Sequence, residues 1–337
     1  MPKFYPQRGR PMSDLITALA AIVLGPLVTF GLYALLNLLV NLLPSQKMRK
    51  AFRPYVFIGP VVLLMCALLV WPTIQSVVFS FMNDDSSEFI GFDNYIELFG
   101  DPSFVQTVWN NVLWVAVVPA TTIVAGLLIA VLTDKLGPIR ERVFKAIIFM
   151  PMAISFVAAS SIWRLNYSWD AGDQQIGMLN AFVKAIGGTP INWIQTDTFA
   201  LNNLMIMVIV IWANVGFAMT LLSAAIKAVP EETTEAASLD GATGAQAFFQ
   251  VVLPQIWGTV VSVFITVLIS SMKIFDVIWG MTGGNFGTNV LGVDFFLQYF
   301  VYSDTGKATA VVVLLMLAII PVMYYQVRSY RKQEEIR

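Results

Sequence analysis

Seven stretches of the chain stay apolar for about 20 residues or more, at 14–43, 55–81, 107–133, 144–164, 201–223, 257–279 and 308–328. A helix needs about 20 apolar residues to cross the hydrocarbon core. Only helices and closed barrels satisfy the backbone within lipid, and barrel strands would alternate apolar with polar. These runs are continuous. The pattern therefore predicts an all-α membrane protein, a polytopic helical bundle with about seven transmembrane helices.

The connections between the runs sort by charge. Lys47, Arg49, Lys50 and Arg53 lie in one; Lys135, Arg140, Arg142 and Lys145 in another; Lys227 in a third; Arg328, Arg331, Lys332 and Arg337 at the C-terminus. The intervening connections 82–106, 165–200 and 280–307 hold only Lys184 and Lys307 against eleven acids, among them Asp84, Asp85, Glu88 and Asp101. Basic loops stay in the cytoplasm. The loop 223–256 and the C-terminus are thus expected inside, and the acidic connections outside. A single long span at 14–43 then places the N-terminus outside, although Lys3, Arg8 and Arg10 favour the inside. A hairpin at Gly25-Pro26 would resolve this, but its arms would fall short of about 20 residues. A single tilted span is the favoured reading, and a cleaved signal peptide is disfavoured by the length of the run. The expected organisation is an N-terminal extension over 1–53, a transmembrane domain over 54–328 and a tail over 329–337.

Composition narrows the function. Of 337 residues, 57% are hydrophobic and 12% charged, with net charge −1. A soluble domain is about 25% charged, so a soluble enzyme, a disordered chain and a nucleic-acid binder are excluded. There is no histidine, which removes imidazole-based catalysis and the usual zinc sites. The single cysteine, Cys66, leaves no intrachain disulfide. The 15 methionines are scattered and read as packing; no metal site is expected.

The longest internal connection, 223–256, is built of helix signals. Pro230 with Glu231 and Glu232 suits a helix start. Gly241 permits a sharp turn. Thr243 and Gln246 fit a capping box for a second short helix, and Leu253-Pro254 is expected to break it before the next span. Two short helices would then lie at the inner face, with Glu235, Ala236 and Ala237 offering charge and close approach to a partner. An ordinary interfacial connector is the plainer alternative.

Glu235, Ala236, Ala237, Gly241, Val252, Leu253 and Pro254 together resemble the signature loop of binding-protein-dependent ABC importer permeases. In that family the loop is the coupling helix, seated in a cleft of the cytoplasmic ATPase. The likeness extends over about 54–328: 89–115 and 149–168 resemble external and spanning segments of the sugar-type permeases. Residues 273–288 resemble their F-D-x-I-x-x-(L/M)-T-x-G-G-P segment, with Asn285 where proline is usual. The nearest likeness is to the larger permease of α-glucoside or trehalose/maltose importers. The resemblance implies the type I importer permease fold and coupling through Glu235, Ala236, Ala237, Asp240, Gly241 and Pro254. It also implies an assembly: a second permease, two ATPase subunits below and a solute-binding protein above, in a prokaryotic cytoplasmic membrane. This chain has no G-x-x-x-x-G-K-[ST]; ATP and Mg would be held by the partner ATPase, with no cofactor and no catalytic residue here.

Polar residues inside spans are functional candidates. Lys273 and Asp276, three apart, can meet on one face of the span 257–279 and bond sugar hydroxyls, or form a self-neutralising anchor. Trp212 and Asn214 offer an aromatic face and an amide to a sugar ring, or to helix packing. Asn110 and Asn111 stand near a span end, Asn111 as a pathway candidate. Trp163, Arg164, Tyr167 and Trp169 read as an aromatic belt with a snorkelling arginine. An ion-driven transporter would call for inverted repeats, which are not evident. Intramembrane catalysis would need paired acids or histidine. A glycerol phosphate or amino-acid cargo remains the alternative within the ABC class.

Overall fold

The computed structural model describes Leu27 and residues 30–170 and 177–335, with side chains to residue 329. The described residues are helical apart from turns and one antiparallel bridge between Met82 and Phe89. Two compact units divide the chain, Met1–Gln75 and Ser76–Arg337.

The first unit contains helix α1 (Phe30–Asn41) and most of the long helix α2 (Gln46–Phe79). Ser45 caps α2 through Oγ, which accepts from Lys47 N, and Arg49 Nε donates to Leu43 O at 2.7 Å. These bonds fix the corner between the two helices. The Tyr33 and Phe57 rings meet at 5.1 Å. Pro54 and Pro60 lie within α2, which continues through a wide turn at Cys66–Val70. The proposed hairpin at Gly25-Pro26 and the side on which the N-terminus lies fall outside the described residues.

The second unit begins with a tight external segment. Asn94 Nδ2 donates to Ser80 O and Met82 O, which braces helix α3 (Asp93–Gly100). Asp101 then caps α4 (Pro102–Asp134), its Oδ1 accepting from Ser103 N at 2.8 Å. The other helices are α5 (Pro138–Phe149), α6 (Phe156–Asn166), α7 (Met178–Ala185), α8 (Leu201–Lys227) and α9 (Glu231–Leu239). They are followed by α10 (Gly244–Met272), α11 (Asp276–Met281), α12 (Leu291–Val301) and α13 (Thr305–Glu335).

Among the described residues, five helices are long and apolar enough to cross a membrane: Gln46–Phe79, Pro102–Asp134, Thr198–Lys227, Gly244–Met272 and Thr305–Ser329. One further pair of helices is long and apolar enough only when taken together. The expected straight span at 144–164 is instead α5 and α6, bent by 102°. Pro151 lacks the N–H that would continue the first helix, and Ser155 starts the second, its Oγ accepting from Ala158 N.

The centre of the bundle is the α4–α8 contact, with Trp114, Val118, Ile206, Ile209 and Val210 buried together with Val267 of α10 and Val277 and Ile278 of α11. Lipid offers no hydrophobic drive between helices, so close backbone approach matters. A Cβ on Gly126 would lie 2.8 Å from Ala218 Cβ, and one on Gly216 would lie 2.5 Å from Ile148 O. Gly216 is thus the notch of α8 that receives the end of α5. Gly216→Val should lower thermal stability of the purified protein by about 1–3 kcal/mol through overpacking. An unchanged melting curve in detergent would disprove that contact.

Two further expectations are corrected. Leu253-Pro254 does not break the chain: α10 runs unbroken from Gly244, because a wide turn at Phe248–Val252 accommodates the missing Pro254 N–H. The span expected at 257–279 instead ends at Met272. Asn111 Nδ2 takes up Met272 O at 3.3 Å, and Gly292 allows close approach to Ile274 O, where a Cβ would sit at 2.8 Å. The carbonyls released by the break thereby find partners or room.

Candidate coupling loop and membrane cavity

The loop between α8 and α10 is shaped locally. Glu231 and Glu232 occupy the first turn of α9. At its end Gly241, with φ +83°, takes the left-handed conformation that side chains resist. Gly241 N donates to Ser238 O, and Ala242 N to Ala237 O at 3.0 Å, the paired closure of a Schellman turn. Thr243 then starts α10 with the expected capping box, Thr243 N to Gln246 Oε1 at 2.8 Å and Gln246 N to Thr243 Oγ1 at 3.4 Å. Gln255 Nε2 reaches Thr233 Oγ1 across the corner.

What α9 presents is an open surface. Glu235, Ala236 and Asp240 are exposed, Ala237 is half-buried, and Leu239 is 87% exposed. No side chain of α9 is buried. A short helix closed at its C-terminus by a Schellman turn, with an uncovered leucine at its tip, suits a protein partner. Leu239 gave no signal as a contact in the sequence, because a single leucine in a short helix reads as packing. Pro254 lies inside α10, behind the wide turn, and is exposed.

At the root of this loop stands a cluster of charges. Lys145 Nζ lies 3.2 Å from Asp134 Oδ1 and 2.5 Å from Glu141 Oε1. Lys227 Nζ pairs with Glu141 and lies 3.8 Å from Asp134. Ser223 Oγ accepts from Lys145 and donates to Asp134 Oδ1 at 3.0 Å. In the sequence Lys145 and Lys227 served only to assign topology, and Asp134, Glu141 and Ser223 carried no signal. Their convergence depends on contacts between α4, α5 and α8 that no local pattern reveals.

Toward the outer half of the bundle lies a cavity of about 660 Å³ lined by Trp163, Asn166, Tyr167, Leu179, Met205 and Trp212 among others. Trp212 is therefore a lining residue, edge-on to Trp163 with ring centres 5.7 Å apart. Trp163, expected in an aromatic belt, packs inward instead. It is half-buried against α8, and its Nε1 is buried without a hydrogen-bond partner. Tyr167 is buried and donates to Met205 O at 2.9 Å, while Arg164 donates to Gly280 O. The cavity wall is almost wholly apolar, with the Trp163 and Trp212 rings meeting edge to face in it. Asn214 does not line this cavity; its Nδ2 donates to Val210 O on its own helix at 2.8 Å.

Lys273 and Asp276 do not share a helical face. Lys273 caps the end of α10 and Asp276 opens α11, both exposed, with no ion pair between them among the described residues. Asn111 is committed to backbone: Nδ2 to Met272 O, and Oδ1 accepting from Leu291 N at 2.7 Å. Asn110 Nδ2 donates to Gly287 O and Asn289 O, both at 2.8 Å. Asn202 Nδ2 donates to Phe286 O at 2.6 Å, and Trp114 Nε1 to Asn203 Oδ1 at 3.2 Å. These asparagines staple the loop 282–290 to α4 and α8. Phe286 there has φ +58°. Asn285, where the family's segment usually has proline, closes the turn itself, Nδ2 donating to Thr282 O at 2.8 Å.

Asp294 on α12 is 8% exposed; Oδ1 accepts from Asn289, while Oδ2 has no partner. Burial pushes its carboxyl up to about 6. The acid is thus favoured in its neutral form when folded, so it destabilises above pH 6 and its cost fades as pH falls toward about 4. Asp294→Asn should therefore raise the melting temperature at pH 8, by the equivalent of about 2 kcal/mol, and lose that advantage near pH 4. A gain that is constant with pH would contradict the assignment.

Residues 122–334 match the family described as binding-protein-dependent transport system inner membrane component. The chain belongs to that family. It is a multi-pass membrane permease of the ABC transport class and not an enzyme. The permease is 39% identical to the alpha-glucoside transport system permease protein AglF of Rhizobium meliloti (strain 1021), over 96% of this chain and 99% of that protein. It is also 39% identical to the osmoprotective compounds uptake permease protein GgtC of a Synechocystis strain, over 83% of this chain and 100% of that protein. Its fold matches a chain of a bacterial alginate ABC transporter solved in complex with an alginate pentasaccharide-bound periplasmic protein. The TM-score is 0.73 at 18% identity, covering 85% of this permease and 96% of that chain.

Proposed function

We propose that this permease imports a glycoside, an α-glucoside or a small oligosaccharide, by ATP-driven alternating access. The observation that carries the reading is α9: an exposed helix closed by the Gly241 turn, on the side that charge assigns to the cytoplasm, ready to seat in a separate ATPase. ATP binding would draw two such loops together, one from this chain and one from a second permease, and rock the bundles outward. Hydrolysis would reset them, and each state would open the site to one side only.

The likeness to AglF supports an α-glucoside as cargo. The paired indoles of Trp163 and Trp212 suit the apolar face of a sugar ring, and their cavity holds no fixed charge. Glycerol phosphate or an amino acid would want one. The second reading, an osmoprotective solute, is favoured by the equal identity to GgtC. Uptake of a labelled α-glucoside by cells expressing the whole transporter tests the choice. Competition by unlabelled α-glucosides, and none by glycerol phosphate or amino acids, is the expected result. Competition by an amino acid or a phosphate ester would overturn it.

A further inference from the structure

Helix α5 is weakly held. None of its side chains is buried, and Ile139, Val143, Phe144 and Ile147 are exposed. Two points fix it to α8. One is the notch at Gly216, which receives the backbone of Ile148 and Phe149. The other is the charge cluster, where Glu141 meets Lys227 in the last turn of α8, and Lys145 meets Asp134 and Ser223. Lys227 is three residues from Pro230, where α9 begins. Beyond its far end, α5 turns through 102° into α6, which carries Trp163 to the cavity. The cluster therefore lies between the surface of α9 and a helix pair that reaches the cavity.

We propose that the Asp134–Glu141–Lys145–Lys227 cluster is the latch through which displacement of α9 is passed to the bent α5–α6 pair. The inference rests on the coupling role given to α9 above. Coupling between distant sites is carried by packed elements joined through discrete polar contacts. Here the polar contact is concentrated. Lys145 and Glu141 are partly shielded, at 21% and 16% side-chain exposure, while Lys227 is 51% exposed, so it is the networking of four charges, more than burial of any one pair, that holds the contact. With the latch closed, α5 follows α8; with it open, α8 and α9 move while α5 slips at the notch. Glu141 and Lys227 are positioning residues, not ligands of substrate.

The test uses the whole transporter in proteoliposomes with its solute-binding protein, measuring solute taken up per ATP hydrolysed. Glu141→Gln and Lys227→Met should each leave ATPase co-purification and basal hydrolysis unchanged, but lower uptake per ATP by about tenfold. Lys227→Arg keeps the charge and should restore it. Wild-type uptake per ATP in both neutral variants would overturn the latch. So would loss of ATPase co-purification in Lys227→Met, which would place Lys227 in the docking surface itself. If Lys227→Met fails to fold, the near-isosteric Glu141→Gln supplies the same readout. A wild-type complex that takes up no glycoside would instead refute the cargo reading and leave the latch measurable with the true solute.

Discussion

Gly241→Val is expected to abolish ATP-coupled uptake while leaving the helical bundle folded. The backbone at 241 is left-handed, φ +83°, which costs an ordinary residue about 1–2 kcal/mol and a β-branched one more. Space is not the obstacle, since a Cβ there would meet nothing within 4 Å. What is lost is the turn: the bonds from Gly241 N to Ser238 O and from Ala242 N to Ala237 O close α9 and aim it away from α10. Without them Glu235, Ala236 and Leu239 no longer present one surface. No side chain of α9 is buried, so the melting temperature should hardly change while ATPase co-purification and uptake are lost. Gly241→Asn should retain both in large part, because asparagine tolerates this conformation. Normal uptake by the valine variant would mean that the turn does not orient the docking helix.

Asn110→Leu should have the largest effect on folding. Its amide makes two hydrogen bonds of 2.8 Å to Gly287 O and Asn289 O from a 5% exposed position. Leucine keeps the volume and leaves both carbonyls without that donor. Each buried group so abandoned costs about 1–3 kcal/mol, and the loop also carries the strained Phe286. The expected outcome is a protein that extracts poorly or melts many degrees lower. Asn110→Asp, which keeps the shape but not the donor, should be nearly as harmful. Wild-type melting in both would show that the loop 282–290 is held by other contacts.

The runs at 55–81, 107–133, 201–223 and 308–328 each correspond to one long apolar helix, as the sequence predicts. The turn and cap of the loop 223–256 were readable at Gly241, Thr243 and Gln246, because they act over three or four residues. Three things were not readable. The bend between α5 and α6 depends on how Pro151 and Ser155 divide an apolar run that composition treats as whole. The break after Met272 depends on a donor, Asn111, that lies 161 residues away. The same long-range pairing explains why Lys273 and Asp276, three apart in sequence, fail to meet. Likewise Trp163 read as an interfacial anchor before α6 was placed against Trp212, and of the charge cluster only Lys145 and Lys227 figured, as topological markers. Local chemistry specified α9 and its closing turn; the cavity and the charge cluster required the packed bundle.

The central claim is that α9 seats in a separate ATPase. It is tested most directly by a short maleimide–succinimidyl cross-linker that joins a cysteine at position 239 to lysine amines of the ATPase. Cys66 is the single native cysteine, so Leu239→Cys in a Cys66→Ala background gives one reactive site at the exposed tip. In membranes containing the whole transporter, that position should cross-link to the ATPase subunit in good yield, with the yield changing when ATP is added. A position that reacts freely with water-soluble maleimide but never cross-links to the ATPase would contradict the account.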